Sequence, residues 1–239
     1  MSPDVNQHLE DLISRRFDEM SDDPMFPLEV PPDDYALKAV IEWLGDPRGQ
    51  RLLDVGCAKG RYVKTLAGAG ARVVGLDRTA SLLQAAARDQ PGQPFVLSTA
   101  TRLPFADAAY DGLLCLEVVE HIVQRDEAFA EMARVLKPGG RAIIVDKNLL
   151  GIGYNHLYPN WLYKEVMERL GRWFYPKQFP FKERWFIPSS LRRELARHFS
   201  HVEVRYLDGR VQGNRRRLLG PLFQALPILR PDAAWCCRK

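Results

Sequence analysis

The sequence has few of the features that mark exported, zinc-stabilised or membrane-spanning chains. Only four of its 239 residues are cysteines (Cys57, Cys115, Cys236 and Cys237), and no CxxC pair occurs, so neither a disulfide framework nor structural zinc is expected. The amino terminus carries acidic residues where a secretory signal would have a basic patch and an apolar run. We therefore predict a cytoplasmic location, and no membrane span is needed to explain the composition.

The net charge of +4 hides an asymmetry along the chain. Residues 1–34 carry ten acidic residues against two arginines, whereas residues 205–239 carry eight basic residues against two aspartates. A solvated charged face is the simpler interpretation of the basic segment, and weak contact with an anionic membrane surface stays open as an alternative. Nucleic-acid binding is not inferred.

Short apolar runs alternate with segments of helical periodicity in the first two thirds of the chain. RLLDVG, ARVVGLD, PFVLSTA, YDGLLCLE and RAIIVDK predict five strands by Lys147, and the segments between them, including VVEHIVQRDEAFAEMARVLKPGG, predict helices. This alternation indicates an α/β fold with a doubly wound, mostly parallel sheet.

The composition changes beyond this repeat, because eleven of the 24 aromatic residues fall between residues 154 and 186. We predict a helical lid here, with Asn160 as N-cap and Leu162, Val166, Leu170 and Trp173 on one apolar face. The lid aromatics either pack over the sheet or line a substrate pocket. The predicted units are an N-terminal helical extension (1–34), a core (35–150), the lid insert (151–187), and a C-terminal completion of the sheet with a basic excursion (188–239).

The stretch LLDVGCAKGRY places small residues in a loop between a strand and a helix. Gly56, Ala58 and Gly60 allow the backbone to approach a ligand closely, and Asp77, at the end of the next strand, can accept both hydroxyls of a ribose. The loop has the spacing GxxxG rather than the dinucleotide pattern GxGxxG, and GAGARV at 68–73 precedes a strand instead of following one. A nucleoside other than a dinucleotide is therefore indicated.

Taken together, LLDVGCAKGR, GLD, LPFADAAYDGLLCLEVVEHI and RVLKPGG before RAIIVD resemble the class I, Rossmann-like S-adenosylmethionine-dependent methyltransferases. Within that class the chain is most similar to the methyltransferase type 11, ubiquinone-biosynthesis-like group that acts on small molecules. The resemblance covers roughly residues 35–147. It implies a seven-stranded sheet with an antiparallel last strand, S-adenosylmethionine as methyl donor and S-adenosylhomocysteine as product.

The same resemblance implies which residues hold the donor. It places the methionine part against Asp54, Gly56, Ala58 and Gly60, the ribose against Asp77, and Arg78 beside the adenine. Thr99 stands where many relatives have an aspartate that reaches the adenine amino group, and the backbone near it offers alternative hydrogen bonds. The full set of predicted donor-binding residues is Asp54, Gly56, Cys57, Ala58, Gly60, Asp77, Arg78, Thr99, Ala100, Thr101, Leu116 and Glu117.

Catalytic residues are harder to predict, because methyl transfer depends mainly on positioning. A general base assists a hydroxyl acceptor, and we take His121, His156 and Tyr154 as candidates. If CLEVVEHI opens a helix, Glu117, Glu120 and His121 share one face. In some similar O-methyltransferases this constellation can hold a divalent ion, but pocket architecture without a metal is the preferred interpretation.

The sequence thus predicts a methyltransferase that transfers a methyl group from S-adenosylmethionine to O or N of a small aromatic, polyketide-like or lipidic acceptor. Two alternatives stay open: a catalytically silent S-adenosylmethionine-binding protein, and a nicotinamide-dependent oxidoreductase. The sequence does not indicate an oligomeric state.

Overall fold

A seven-stranded sheet forms the centre of the protein, whose computed structural model describes residues 3–153, 157–209 and 213–239. The strands are β1 (Arg51–Val55), β2 (Arg72–Asp77), β3 (Phe95–Leu97), β4 (Tyr110–Leu116), β5 (Leu136–Lys147), β6 (His201–Leu207) and β7 (Asp232–Arg238). Their order is β3-β2-β1-β4-β5-β7-β6, with β7 antiparallel to both of its neighbours and the pairs among β1 to β5 parallel. The predicted Rossmann-like sheet with an antiparallel last strand is confirmed.

Helices cover both faces of the sheet. They are α1 (Pro3–Glu19), α2 (Tyr35–Leu44), α3 (Arg61–Gly68), α4 (Ala80–Asp89), α5 (Arg125–Val135), α6 (Asn160–Arg169), α7 (Pro188–Leu195) and α8 (Gly213–Ala225). The Asp34 side chain accepts a hydrogen bond from the Leu37 amide at 2.7 Å, which satisfies a free N–H at the start of α2. Among the described residues, no helix is both long and apolar enough to cross a bilayer.

The core has two layers because successive strand residues point to opposite faces. Leu53 and Ile144 pack with Phe129 of α5 on one face, while Leu52 and Ile143 pack with α2 and α3 on the other. All four cysteines are buried free thiols, and the adjacent pair in β7 is divided between the two layers. This agrees with reduced cysteines that act as small core residues.

Three local predictions are wrong. The segment after β4 forms a 3-10 turn (Val119–His121) and α5 starts only at Arg125, so CLEVVEHI does not open an α-helix. Residues 136–140 belong to β5 instead of extending the preceding helix or forming a turn, although the register against β4 shifts there. Asn160 is the first residue of α6 and follows Pro159, so it is not the N-cap. Its side-chain amide donates instead to the Asn148 and Pro231 carbonyls at 2.8 and 3.2 Å.

The apolar row of the lid helix also faces outward instead of packing. Leu162, Val166 and Leu170 are 37%, 43% and 61% exposed, respectively. The part of the lid that packs inward is the segment after α6, where Phe174 meets α1, Trp173 meets Trp185 and the buried Tyr175 packs against His121. The aromatic insert therefore contributes its loop, not its helix, to the centre of the protein.

Candidate functional site

A cleft of about 790 Å³ opens at the carboxyl ends of the parallel strands. It lies where the strand order changes direction between β1 and β4, the place at which open α/β sheets bind ligands. The loops that follow β1, β2, β3 and β4 form its floor. Helices α1 and α2, the segment between them and the segments 172–174, 183–185 and 206–209 contribute to its walls.

The loop after β1 has the tight conformation that close approach to a ligand requires. Gly56, Ala58 and Gly60 all have positive φ angles, of 78°, 48° and 74°. The amides of Gly56 and Cys57 both donate to the Leu76 carbonyl, at 2.7 and 3.0 Å, which joins the loop to β2. The backbone is therefore fixed by hydrogen bonds as well as by residue size.

We expect Gly56→Ala and Ala58→Gly to have opposite effects on stability. A Cβ on Gly56 would lie 2.3 Å from Cγ2 of Val118 at a φ that disfavours side chains, so this variant should lose about 1–3 kcal/mol. Ala58→Gly relieves a left-handed alanine and should be neutral or stabilising by about 1 kcal/mol. Urea unfolding measures both, and equal losses would contradict the geometry.

Two buried carboxyl groups, Asp54 and Asp77, face the cleft from β1 and β2. Burial raises the pKa of Asp54 to about 7, with Arg61 opposing the shift and Asp77 adding to it. Burial likewise raises the pKa of Asp77, whose two oxygens accept hydrogen bonds from the Ala58 and Thr79 amides at 2.9 Å each. Among the described residues, Oδ2 of Asp54 has no hydrogen-bond partner. A ligand that brings hydroxyl donors and a positive charge would satisfy both groups.

The other predicted donor residues lie around the same cleft, except that Gly60 is not among its lining residues. Cys57, Thr99, Ala100, Thr101 and Leu116 line it, and the Thr99 and Thr101 hydroxyls are 2.9 Å apart. Their ligand contacts stay predictions.

Arg78 also lines the cleft, but it is engaged by α1. Its guanidinium pairs with the buried Glu10, whose other carboxylate oxygen accepts from the Val123 amide at 3.0 Å. The Ser14 hydroxyl donates to the Arg78 carbonyl at 3.0 Å, and burial lowers the pKa of Arg78 to about 10. Helix α1 therefore closes one side of the cleft, which the sequence did not predict.

Glu117 does not join Glu120 and His121. It has a φ of 58° and its Oε1 accepts from the Tyr35 hydroxyl of α2 at 3.2 Å. The third residue beside Glu120 and His121 is instead Glu183, and one potential ligand atom from each of these three residues lies within 4.8 Å of the others. The potential metal ligands that lie together are thus Glu120, His121 and Glu183, instead of Glu117, Glu120 and His121.

A lysine already supplies positive charge in this cluster, which bears on the metal question. Lys147, at the end of β5, pairs with Glu120, and His121 Nε2 lies 3.3 Å from Glu120 Oε1. Burial would raise the pKa of Glu120, but Lys147 and His121 bring it below its ordinary value. The ammonium group occupies the place of a counter-ion and disfavours a further divalent cation.

Of the three catalytic candidates, the described residues include only His121. His121 lines the cleft, with Nδ1 3.0 Å from the Tyr175 hydroxyl and Nε2 facing Glu120. Tyr154 and His156 lie outside the described residues. Sequence reasoning missed Lys147 and Glu183; the position of Lys147 at the carboxyl end of a predicted strand was a usable signal, whereas Glu183 in a loop had none.

Comparison with known proteins finds methyltransferases. A family model described as "Methyltransferase domain" matches residues 53–144. A demethylmenaquinone methyltransferase of Renibacterium salmoninarum is 35% identical over 109 residues, which cover 46% of each chain. Methyltransferase GfsG of Streptomyces halstedii is 39% identical over 115 residues, covering 45% of this chain and 41% of that one. The chain spans about half the length of the curated relatives it matches.

Solved structures share the fold at low sequence identity. An S-adenosylmethionine-dependent methyltransferase from Mesorhizobium loti has a TM-score of 0.62 at 15% identity, covering 87% of this chain and 99% of that one. A possible histamine N-methyltransferase from Thermotoga maritima has a TM-score of 0.65 at 16% identity, with coverages of 95% and 99%. The chain therefore shares the fold of these S-adenosylmethionine-dependent methyltransferases, and its residues 53–144 match a methyltransferase domain.

Proposed function

We propose that the chain transfers a methyl group from S-adenosylmethionine to oxygen or nitrogen of a small-molecule acceptor. The observation that carries this proposal is the pair of buried acids, Asp54 and Asp77, on either side of a left-handed glycine loop in one cleft. This arrangement suits a nucleoside with a positively charged amino-acid end. A nicotinamide dinucleotide would bring a diphosphate to the same buried carboxyl groups, which is unfavourable.

The residues fit the donor in two respects. The unpartnered Oδ2 of Asp54 can accept from the donor's ammonium group, and the Asp77 oxygens keep lone pairs for ribose hydroxyls beyond their amide bonds. Gly56 also lets the loop after β1 pack closely against Val118, because a Cβ at this position would clash with the Val118 side chain. When bound, S-adenosylmethionine supplies an electrophilic methyl group. The chain's part is to hold the acceptor in line with that group and to exclude water.

The acceptor side of the cleft is aromatic. Phe17 of α1, Trp173, Phe174 and Trp185 line it. The relatives are named for a demethylated menaquinone and, in Penicillium expansum, as an O-methyltransferase, which supports a flat, partly apolar acceptor here. His121 stays our candidate for a base. It would act only after exchanging one of its present neighbours, since both ring nitrogens face protein groups.

Calorimetric titration tests the proposal. We expect S-adenosylhomocysteine to bind one site per chain with measurable heat and NAD to give none, because Asp54 and Asp77 are buried carboxyl groups beside the loop that would have to hold the diphosphate. Absence of heat with S-adenosylhomocysteine would overturn the proposal. Binding without turnover across a panel of phenols, amines and lipid precursors would favour the silent binding protein, which the comparisons do not support. A cytoplasmic location and weak membrane-surface contact stay predictions.

A further inference from the structure

The wall of the cleft formed by the 3-10 turn, the end of β5 and the segment 183–185 contains unsatisfied negative charge. Glu120 and Glu183 are 1% and 6% exposed, respectively, and both line the cleft. Oε1 of Glu120 pairs with Lys147, but its Oε2 is buried without a hydrogen-bond partner among the described residues. A buried carboxylate oxygen without a donor is costly, and a ligand would relieve this cost.

Glu183 adds a second carboxylate without its own counter-ion. Within the described part of the chain, no lysine or arginine forms an ion pair with it; the Trp185 indole N–H donates to its Oε1 at 2.8 Å. Burial and the nearby Glu120 raise the pKa of Glu183, and Lys147, His121 and the Trp185 hydrogen bond oppose the shift only in part. Lys147 pairs with Glu120, so Glu183 has no ion pair of its own among the described residues.

Aromatic rings line the same cleft as these carboxylates. The rings of Trp173 and Trp185 are 5.3 Å apart, and Phe17 stands 5.0 Å from the His121 ring and 4.9 Å from Phe174. The faces of such rings attract cations, most strongly when water is excluded. Carboxylates within an aromatic wall therefore favour a cation that is also partly apolar.

Building on the proposed function, we propose that this wall binds a positively charged nitrogen of the methyl acceptor, so that the acceptor is an amine or ammonium compound. An ammonium group has several N–H donors and can satisfy Oε2 of Glu120 while it also reaches the Glu183 carboxyl group, whereas a hydroxyl has only one donor. A cation on the acceptor would favour the ionised form of both carboxyl groups. A divalent ion would face the Lys147 ammonium, which contacts the same carboxylate.

Matched pairs of probes test the inference on the chain saturated with S-adenosylhomocysteine. Tyramine is compared with 4-ethylphenol, and choline with 3,3-dimethylbutan-1-ol, by calorimetry and by tryptophan fluorescence. We expect the cation of at least one pair to bind about 10-fold or more tightly than its neutral partner. Glu183→Gln keeps an acceptor for the Trp185 indole and should reduce the preference to about twofold or less.

The control is Glu165→Gln, which changes an exposed glutamate of α6 and should keep the preference. No cation preference in either pair of the unaltered chain overturns the inference, even if Glu183→Gln fails to fold. Mn²⁺ binding to the unaltered chain that is lost in Glu183→Gln would instead identify a metal site and also overturn it. If S-adenosylhomocysteine itself does not bind, the proposed function fails separately.

Discussion

Asp54→Asn is expected to weaken S-adenosylhomocysteine binding by about 100-fold while raising the melting temperature of the ligand-free chain at pH 8. The affinity falls because a buried carboxylate that would meet the ligand's ammonium group becomes a neutral amide. Calorimetry at pH 8 measures this loss. In the unaltered chain, affinity should rise with pH through about 7, where Asp54 ionises, and this rise should be absent in the variant.

The gain in stability follows from the direction of the pKa shift. The Asp54 pKa is about 7 in the folded chain against 3.8 for an ordinary aspartate, so its stabilising contribution is present below pH 3.8 and is lost as pH rises through 7. Asparagine carries no charge into the core, and the variant should melt roughly 2–6 °C higher at pH 8, with a smaller difference at pH 5. Asp22→Asn, at an exposed position, is the matched control. Normal binding by Asp54→Asn would contradict its assigned role.

Lys147→Met is expected to cost about 3–5 kcal/mol of unfolding free energy at pH 8. It removes the ammonium group that pairs with Glu120, and Glu120 is 1% exposed. Urea or thermal unfolding measures the loss, which corresponds to a fall in melting temperature of roughly 6–20 °C. The cost arises mainly from the buried carboxylate that remains.

A second substitution separates this cause from lost packing. Lys147→Met with Glu120→Gln should recover most of the stability, because neither charge is then buried. Lowering the pH should rescue the single variant in the same way. With Lys147 present, the pKa of Glu120 is below its ordinary 4.5, so this group stabilises above pH 4.5 and the stabilisation is lost as pH falls through the folded value. Without Lys147 we expect the free energy of unfolding to rise as the pH falls. An unchanged dependence of stability on pH would contradict this account.

The sequence predicted those parts of the fold that depend on local pattern. Apolar runs such as RLLDVG and ARVVGLD are strands, since each is buried on both faces of a parallel sheet. The predicted donor loop has the backbone that its small residues suggested, including a left-handed Ala58. The same reasoning failed at Glu117, where a non-glycine residue adopts a φ of 58° and ends the strand without any local signal.

The rest of the site depends on contacts between distant segments. Glu183 lies beside Glu120 and His121 although more than sixty residues of sequence separate them. Arg16 of α1 likewise donates from Nη2 to the distant Phe174 carbonyl at 3.0 Å. Periodicity carries no information on such pairs. The exposed row of α6 is a related case, because an apolar stripe predicts a buried face but does not say whether a partner lies on it.

The four buried cysteines allow thiol labelling to measure which parts of the structure open. Burial raises the pKa of all four thiols, so a thiol reagent should modify them only when the surrounding structure opens. Cys57 lies in the loop after β1, whereas Cys115, Cys236 and Cys237 lie within central strands. The labelling rate of Cys57 should therefore follow local motion of the loop after β1 and should fall when S-adenosylhomocysteine binds there. The labelling rates of the other three cysteines should follow global unfolding.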